Sequence, residues 1–210
     1  MRKRFNMSNI FPTLNIVIPE KLVLGLLGYR KQSANVSESV KSAVAGELNI
    51  GKEMLRFKGV YVKAPVEVAD GKVRLENGYN IISAKFAKWI NGCEYVYLFV
   101  VTAGPLFSER VAQLLAMKEV SRAMTADAVG SAAAEACAEA ADRYINELEN
   151  GNRLTKRYSP GYGDWNVADN RHLLEVLGAN KIGISVNEGG IMLPEKSVSA
   201  AVGVKIGIGN

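Results

Sequence analysis

The segment EYVYLFVVTAG is the feature that most constrains the fold of this chain. It is the most hydrophobic stretch with the character of a strand, and we expect it to lie in the centre of a sheet. The other predicted strands and helices come in mixed blocks, without the regular strand–helix alternation of a parallel sheet. This order predicts an α+β fold with a largely antiparallel sheet.

Three other stretches show the two-residue apolar period that is typical of strands. The first, FKGVYVKAPVEVADGKVRLENGYNI, carries a tight-turn signal at Asp70-Gly71 and is predicted to be a β-hairpin. The other two lie near the C-terminus. The alternating residues are Val60, Val62, Val66 and Val68 in the hairpin, Ile182, Ile184 and Val186 in the second stretch, and Val198, Ala200, Val202, Val204, Ile206 and Ile208 in the third.

Helices are predicted from apolar spacing and from residues that start or stop helices. The predictions are a short helix over 20–27 closed near Gly28; a helix with the stripe Val36, Val40, Val44 and Leu48 and with Ser33, Ser37 or Ser39 as its N-cap; SAKFAKWING, stopped by Gly92; a long helical region that starts at Gly104-Pro105 and breaks near 117–121; and a helix through Leu173, Leu174 and Leu177 that ends at Gly178.

Composition excludes several classes of protein. The 210 residues suggest one compact domain, and 48% hydrophobic with 22% charged residues is ordinary for a globular chain. The two cysteines, Cys93 and Cys137, are too few and too far apart for a zinc or iron–sulfur site, so we expect buried thiols in a reducing compartment. No apolar run is long enough to span a membrane, and the interrupted N-terminus is a poor signal peptide, so a cytoplasmic location is predicted.

The net charge of +5 is scattered and includes Arg2, Lys3 and Arg4. Nucleic-acid binding usually needs clustered charge with interleaved aromatic residues, so we expect no nucleic-acid partner, although a basic nucleic-acid-associated protein remains an alternative. A basic face for an acidic protein or an anionic ligand is at least as compatible with this charge.

The stretch GSAAAEACAEAADRY predicts an alanine-rich helix whose small residues permit close packing. Its carboxylates Glu135 and Glu139 are four residues apart and therefore share a face. That face is either an ordinary solvated acidic surface or a place where a carboxylate lies beside a cationic ligand. The helix alone does not decide between the two.

The segment RYSPGYGDW cannot be a regular helix, because Pro160 and two glycines interrupt it. Arg157 offers a planar charged group suited to a carboxylate or phosphate, and Gly161 lets the backbone approach a ligand. Tyr162 and Trp165 offer flat apolar surfaces with polar tips. The segment is therefore either a ligand-binding loop or a well-packed surface turn.

A third stretch, NEGGIMLPEKSVSAAVG, breaks one predicted strand and leads into the last one. The single histidine, His172, has no cysteines or carboxylates at ligand spacing, so no metal site and no catalytic residue are predicted. The sequence contains no nucleophile elbow, P-loop or dinucleotide fingerprint.

Together, these three stretches resemble the activation (reactivation) domain of cobalamin-dependent methionine synthase, and in particular its stand-alone relatives. The family signature is an arginine, three residues and Gly-Tyr, matched by Arg157 to Tyr162. An upstream Ala-Glu-rich helix is matched by AAAEACAEAADRY. The downstream motif is matched by Glu188, Met192, Pro194 and the run Ser197-Val198-Ser199.

This resemblance implies an α+β fold with a twisted antiparallel sheet and surrounding helices, and a site for S-adenosylmethionine. It implies that Arg157 pairs with the methionine carboxylate and that the backbone at Ser159 and Gly161 contacts the adenosine. It also implies that Tyr162 and Glu135 lie near the sulfonium. The acidic residue that family members carry shortly before the arginine is replaced by Gly151, and their Pro-Ala-Cys-Pro is replaced here by Gly163 to Asn166.

The resemblance further implies a role in the reductive methylation of cob(II)alamin. We expect residues 1–19 to form an N-terminal arm and 20–210 a single domain, with the cobalamin carried by a partner. That partner would be a cobalamin-dependent methionine synthase or another corrinoid protein, with an external electron donor such as flavodoxin or ferredoxin. The alternative is a corrinoid-protein docking module with a degenerate ligand site and no methyl transfer.

Overall fold

A computed structural model describes residues 8–29, 36–76 and 78–207 of the chain. The described strands are β1 (Asn9–Ile10), β2 (Lys58–Ala69), β3 (Lys72–Leu75), β4 (Asn80–Ile82), β5 (Tyr95–Thr102), β6 (Arg153–Leu154), β7 (Ser185–Val186), β8 (Met192–Leu193) and β9 (Ser197–Lys205). The described helices are α1 (Glu20–Leu26), α2 (Glu38–Met54), α3 (Ala84–Trp89), α4 (Leu106–Ala116), α5 (Val120–Glu149) and α6 (Asn170–Leu177).

Strand β5 lies inside the main sheet, as its sequence predicted. The strand order is β4-β3-β2-β5-β9-β6, with β1 also paired to β2, while β7 and β8 form a separate hairpin. Every pairing between the described strands is antiparallel. The predicted α+β class with a largely antiparallel sheet and surrounding helices is therefore confirmed.

Alternate residues of β5 build two hydrophobic cores on opposite faces of the sheet, because successive strand side chains point in opposite directions. Phe99 and its i±2 neighbours pack against the side of α1, α2 and α5. Leu98 and its i±2 neighbours pack with Phe86 of α3 and with the leucines of α6. The two helical layers therefore sandwich the sheet, and a cleft at the sheet edge can draw side chains from both.

Helix α5 packs closely on its neighbours because its buried face is made of small residues. A Cβ atom on Gly130 would lie 2.9 Å from Phe107 and 3.0 Å from the Lys196 side chain. Cys137 of this helix and Cys93 are both free and buried, as expected, and burial raises the pKa of Cys137 to about 12. The alanine-rich sequence is thus a packing surface along most of the helix.

The other helices are found where they were predicted, except that α2 begins at Glu38, so Val36 of the predicted stripe is a buried residue before the helix. Ser37 caps α2 and accepts a hydrogen bond from the Val40 amide, whereas Ser33 lies outside the described residues. Helix α6 ends at Gly178, which adopts a left-handed conformation with φ of 62°. The predicted break in the long helical region separates α4 from α5. Within the described residues, no helix has the length and apolar character needed to cross a membrane.

The strand predicted through Ile182, Ile184 and Val186 is wrong in its first half. Residues Ala179–Ile182 form a 3-10 turn, and Gly183 then takes a φ of 80°, which ends any extended run. Ile182 and Ile184 are nevertheless buried, so their apolar character reflects core packing from a turn. The last strand is also shorter than predicted, since β9 ends at Lys205 and Ile208 lies outside the described residues.

The described part of the predicted N-terminal arm, from Ser8 onward, packs against the domain. Its strand β1 pairs with Val60 and Tyr61 of β2, and Phe11 is buried in the core on the α5 side of the sheet. The division into an arm over 1–19 and a domain over 20–210 stays a prediction.

Candidate functional site

Parts of all three sequence stretches meet at one cleft of about 660 Å³. The cleft lies where α5, the end of α3, the segment after β6 and the start of β9 come together. Its walls include four of the five predicted site residues, and Gly161 lies between two of the lining residues. The lining residues are Trp89, Glu135, Asp142, Lys156, Arg157, Tyr158, Ser159, Pro160, Tyr162, Asn170, Met192, Ser197, Val198 and Ser199.

Two consecutive tight turns shape the loop after Tyr158. The amide of Tyr162 donates to the Ser159 carbonyl at 3.0 Å, and Gly161 between them has a φ of 94°. Proline and then glycine at the two central positions of such a turn fix this geometry without strain. The Trp165 amide then donates to the Tyr162 carbonyl at 3.0 Å, and Gly163 takes a φ of 61°. Both glycines are therefore required by the backbone.

Asp164, in the segment Gly163 to Asn166, anchors this loop to the domain. The Asp164 carboxylate accepts hydrogen bonds from the Ser83 hydroxyl and from the Ala84 amide, the latter at 2.9 Å. The Ser83 bond is the main reason that the pKa of Asp164 is lowered. Because Ser83 also caps α3 by accepting from the Phe86 amide, the loop and that helix are held as one unit.

Trp165 is a core residue and does not offer the ligand surface that its sequence suggested. It is buried, its ring stacks on Phe86 at 4.8 Å, and its Nε1 donates to Asp169 at 3.0 Å. Sequence alone could not separate the two roles, because a loop tryptophan with a polar tip fits either one. Tyr162 is different, since 65% of it is exposed.

Arg157 lies between two carboxylates of α5. Its Nη2 donates to Glu135, and its Nε lies 2.6 Å from the Asp142 Oδ2 atom. The side chain of Arg157 is only 20% exposed. Burial opposes its charge, but the hydrogen bond to Glu135 and the charge of Asp142 outweigh that effect and raise the pKa of the guanidinium. Nη1 has no hydrogen-bond partner among the described residues, so the group can still bind an anion.

Asp142 is the functional candidate that the sequence reading missed. Burial raises the pKa of its carboxyl to about 6, the neighbouring Arg157 charge opposes this shift, and Glu135 adds to it. Its Oδ1 atom is buried and has no hydrogen-bond partner among the described residues. Asp142 follows Glu135 by seven residues, which is two helical turns on the same face, and that spacing is the signal that could have found it.

The two remaining predicted residues, Ser159 and Gly161, differ in whether their amides are already hydrogen-bonded. The Ser159 amide and hydroxyl make no hydrogen bonds within the described parts of the chain, so both can bind a ligand. The Gly161 amide instead donates to the Trp165 carbonyl at 2.8 Å, which leaves its carbonyl oxygen for other contacts. Ser159 is therefore the better-placed donor of the two.

The third stretch contributes to the cleft only in part. Met192 and the run from Ser197 to Ser199 line it, whereas Glu188 and Pro194 do not. The Ser199 hydroxyl donates to the Asn170 side-chain oxygen at 2.6 Å, which ties β9 to α6. Residues of this motif therefore serve two purposes, since some line the cleft and Ser199 also connects β9 to α6.

A second cleft of about 660 Å³ opens elsewhere, near the start of α4. It is lined by Arg56, Lys58, Thr102, Gly104, Pro105, Ser108, Glu109, Ile182, Gly183, Ser185, Leu193, Pro194 and Glu195. None of the predicted site residues belongs to it. This second cleft also has a guanidinium and two carboxylates, but it lacks the aromatic side chains that line the cleft around Arg157.

Comparison with known proteins agrees with this description. The family model for the vitamin B12-dependent methionine synthase activation domain matches residues 79–205. The fold is similar to a solved crystal structure of the MetH reactivation domain bound to AdoHcy, with a TM-score of 0.65 and 13% sequence identity. That alignment covers 95% of this chain and 79% of the other. A search of curated proteins gave no match. The family model spans more than half of the sequence, so this chain belongs to the family of vitamin B12-dependent methionine synthase activation domains.

Proposed function

We propose that the cleft around Arg157 binds S-adenosylmethionine and that this chain supports the reductive methylation of cob(II)alamin on a separate protein. The cobalamin carrier would be a cobalamin-dependent methionine synthase or a related corrinoid protein. S-adenosylmethionine supplies the methyl group, and an external donor such as flavodoxin or ferredoxin supplies the electron. The free, buried thiols of Cys93 and Cys137 fit a reducing compartment, so we place this function in the cytoplasm.

The observation that carries this proposal is the meeting of Arg157, Glu135, Ser159 and Tyr162 in one cleft of a chain from this family. The solved domain with the similar fold is described as bound to AdoHcy, a close analogue of the proposed ligand. Family membership supports the kind of reaction, and the cleft supports the kind of ligand. The residue roles below are inferred from the chemistry of the side chains.

The charges of the cleft suit this ligand. Two carboxylates, Glu135 and Asp142, and two cations, Lys156 and Arg157, line the cleft. It therefore offers both signs of charge to S-adenosylmethionine, which has a sulfonium, an ammonium and a carboxylate. Nη1 of Arg157, which has no partner among the described residues, can bind the ligand carboxylate without first breaking either ion pair. Glu135 then lies on the side where a positive sulfur is electrostatically favoured. Ser159 and the Gly161 carbonyl provide hydrogen bonds for the adenosine part.

One observation favours the alternative, a docking module with a degenerate ligand site. Arg157 has two carboxylate partners within the chain itself, so the fold explains this arginine without S-adenosylmethionine. In that case the chain would bind a corrinoid protein but would not supply methyl groups. Calorimetric titration with S-adenosylmethionine separates the two readings, because the docking module gives no heat of binding.

The test of function uses a cobalamin methyltransferase trapped as cob(II)alamin and purified separately. The methyl-cobalt absorption spectrum should return only when this protein, S-adenosylmethionine and a low-potential reductant are all present. The Arg157→Ala variant should be impaired, and Arg74→Ala, which changes an exposed arginine of β3, should act like the unmodified chain. Recovery at the same rate without this protein would refute the proposal. A rate that falls with added salt would support docking on an acidic partner.

A further inference from the structure

The cleft has two chemically different ends, because consecutive side chains of an extended segment point to opposite sides. Tyr158 forms a bridge with Ala201 of β9, with hydrogen bonds of 3.0 and 2.8 Å in the two directions. Arg157 extends from this bridge toward the carboxylates of α5. Tyr158 extends the other way, toward the rings of Phe86 and Trp89 on α3. One end is therefore charged and the other is aromatic.

Helix α3 contributes two aromatic residues to this end, the buried Phe86 and the partly exposed Trp89. Trp89 is the last residue of α3, it lines the cleft, and 45% of it is exposed. Its Nε1 donates to the carbonyl oxygen of Lys156 at 2.9 Å, which fixes the orientation of the indole. Tyr158 lies beside it, with ring centroids 5.9 Å apart. An indole held in this way loses little conformational entropy when a ligand stacks on it.

The same end of the cleft is rigid and open. Helix α3 is connected to the loop after Tyr158 by Asp164, whose carboxylate accepts hydrogen bonds from the Ser83 hydroxyl and from the first amides of the helix. The exposed ring of Tyr162 lies 6.3 Å from the ring of Tyr158 and extends the aromatic surface toward the loop. Ser159, whose amide and hydroxyl have no hydrogen-bond partner within the described residues, lines the same cleft.

We propose that Trp89 is the stacking surface for the purine ring of the ligand. The proposal rests on the proposed function, since it assigns the amino-acid part of the ligand to Arg157 and the base to Trp89. Every purine has a flat π-face, and base–aromatic stacking binds nucleosides without demanding a particular hydrogen-bond pattern. Trp89 therefore selects an adenosylated sulfonium over a sulfonium amino acid that lacks the base.

The position of Trp89 favours a small molecule over a protein as the group that covers it. The indole belongs to the wall of a concave cleft whose volume of about 660 Å³ is in the range of small-molecule sites. Arg157 lies in the same cleft, one residue along the chain from the Lys156 carbonyl to which Trp89 donates. A ligand with a charged end and a flat end fills both parts at once.

The chain offers a direct optical test, because Trp89 and Trp165 are its only tryptophans. The Trp165→Phe variant leaves Trp89 as the single indole, and adenosine should then quench its fluorescence with saturation. S-adenosylmethionine should quench it at lower concentration, since it also binds the charged end. If Trp165→Phe does not fold, calorimetry on variants at position 89 gives the same answer.

In the calorimetric test, Trp89→Leu should weaken the binding of both adenosine and S-adenosylmethionine by roughly 5- to 150-fold, the range measured for losing one base–aromatic stack. Trp89→Phe should restore part of the loss. Arg157→Ala should lower the affinity for S-adenosylmethionine far more than the affinity for adenosine. This crossed pattern is what a cleft with two separate ends predicts.

The outcomes separate this proposal from the proposed function. If S-adenosylmethionine binds and Trp89→Leu changes neither affinity, the stacking role is refuted and the function stands. If adenosine quenches Trp89 while S-adenosylmethionine binds no better than adenosine, the aromatic surface stands and the assigned ligand is wrong. If neither molecule binds, both proposals are refuted.

Discussion

Replacing Arg157 with alanine tests how much this residue contributes to ligand affinity and how much to the stability of the fold. In the proposed complex, the guanidinium donates charge-assisted hydrogen bonds to the ligand carboxylate. Losing such bonds typically costs about 1.5–3 kcal/mol, which corresponds to a roughly 10- to 150-fold weaker affinity for S-adenosylmethionine. Calorimetric titration of both proteins measures this ratio directly.

The structure also gives a stability cost for the same change. Arg157 holds Glu135 and Asp142, whose side chains are 41% and 34% exposed, so water can replace the guanidinium around both. Partly exposed ion pairs contribute about 0.2–1 kcal/mol each. We therefore expect Arg157→Ala to lower the free energy of unfolding by ~1 kcal/mol in urea titration, with the fold retained.

The exposed arginine of β3 provides the control. Arg74→Ala removes the same charge away from the cleft, and it should leave both the affinity and the unfolding free energy within about 0.5 kcal/mol of the original values. If Arg157→Ala unfolds the protein, or folds normally and binds S-adenosylmethionine as before, then Arg157 serves only to hold α5 against the loop.

Three further changes test other parts of the site. Glu135→Gln keeps the shape and helix propensity of the side chain. It should lower the affinity for S-adenosylmethionine more than the affinity for S-adenosylhomocysteine, which lacks the sulfonium charge. Equal losses of affinity in calorimetry would place Glu135 away from the sulfur. The pKa of Asp142 is raised from 3.8 to about 6, so the folded protein binds this proton more tightly than the unfolded chain. Its contribution to stability is therefore full below pH 4 and is lost as the pH rises through 6. Asp142→Asn should flatten this fall by ~1 kcal/mol after allowance for solvent screening, and an unchanged pH profile of urea unfolding would contradict the shift. Trp165→Ala should lower the unfolding free energy by about 3–5 kcal/mol through loss of a buried ring, and a loss below about 1 kcal/mol would show that Trp165 is not part of the core.

The fold was predictable where local signals and burial agree. The continuous apolar run of β5, the turn at Asp70-Gly71 and the left-handed stop at Gly178 each have a direct physical cause in the sequence. Ile182 and Ile184 misled the prediction, because alternation describes which residues are buried and not the backbone that buries them. Gly183 between them takes a conformation that a strand cannot contain.

The site was predictable as a set of residue types but not as a set of partners. The motif around Arg157 supplies five of the fourteen residues that line the cleft. The sequence could not show that Glu135 and Asp142, two turns apart on α5, would both pair with this arginine. The sequence left open whether Trp165 faces a ligand or packs in the core, because its burial depends on Phe86, which is distant in the chain. Contacts of this kind follow only from how α3, α5 and the loop are packed together.

The proposed function requires that the Arg157 cleft bind S-adenosylmethionine, and calorimetric titration of this ligand into the purified chain measures that binding. We expect a saturable heat with one site per chain and a dissociation constant in the micromolar range, with binding roughly 10- to 150-fold weaker in Arg157→Ala and unchanged in Arg74→Ala. A flat trace for the unmodified, folded protein would contradict the claim and leave the docking module as the function of this domain.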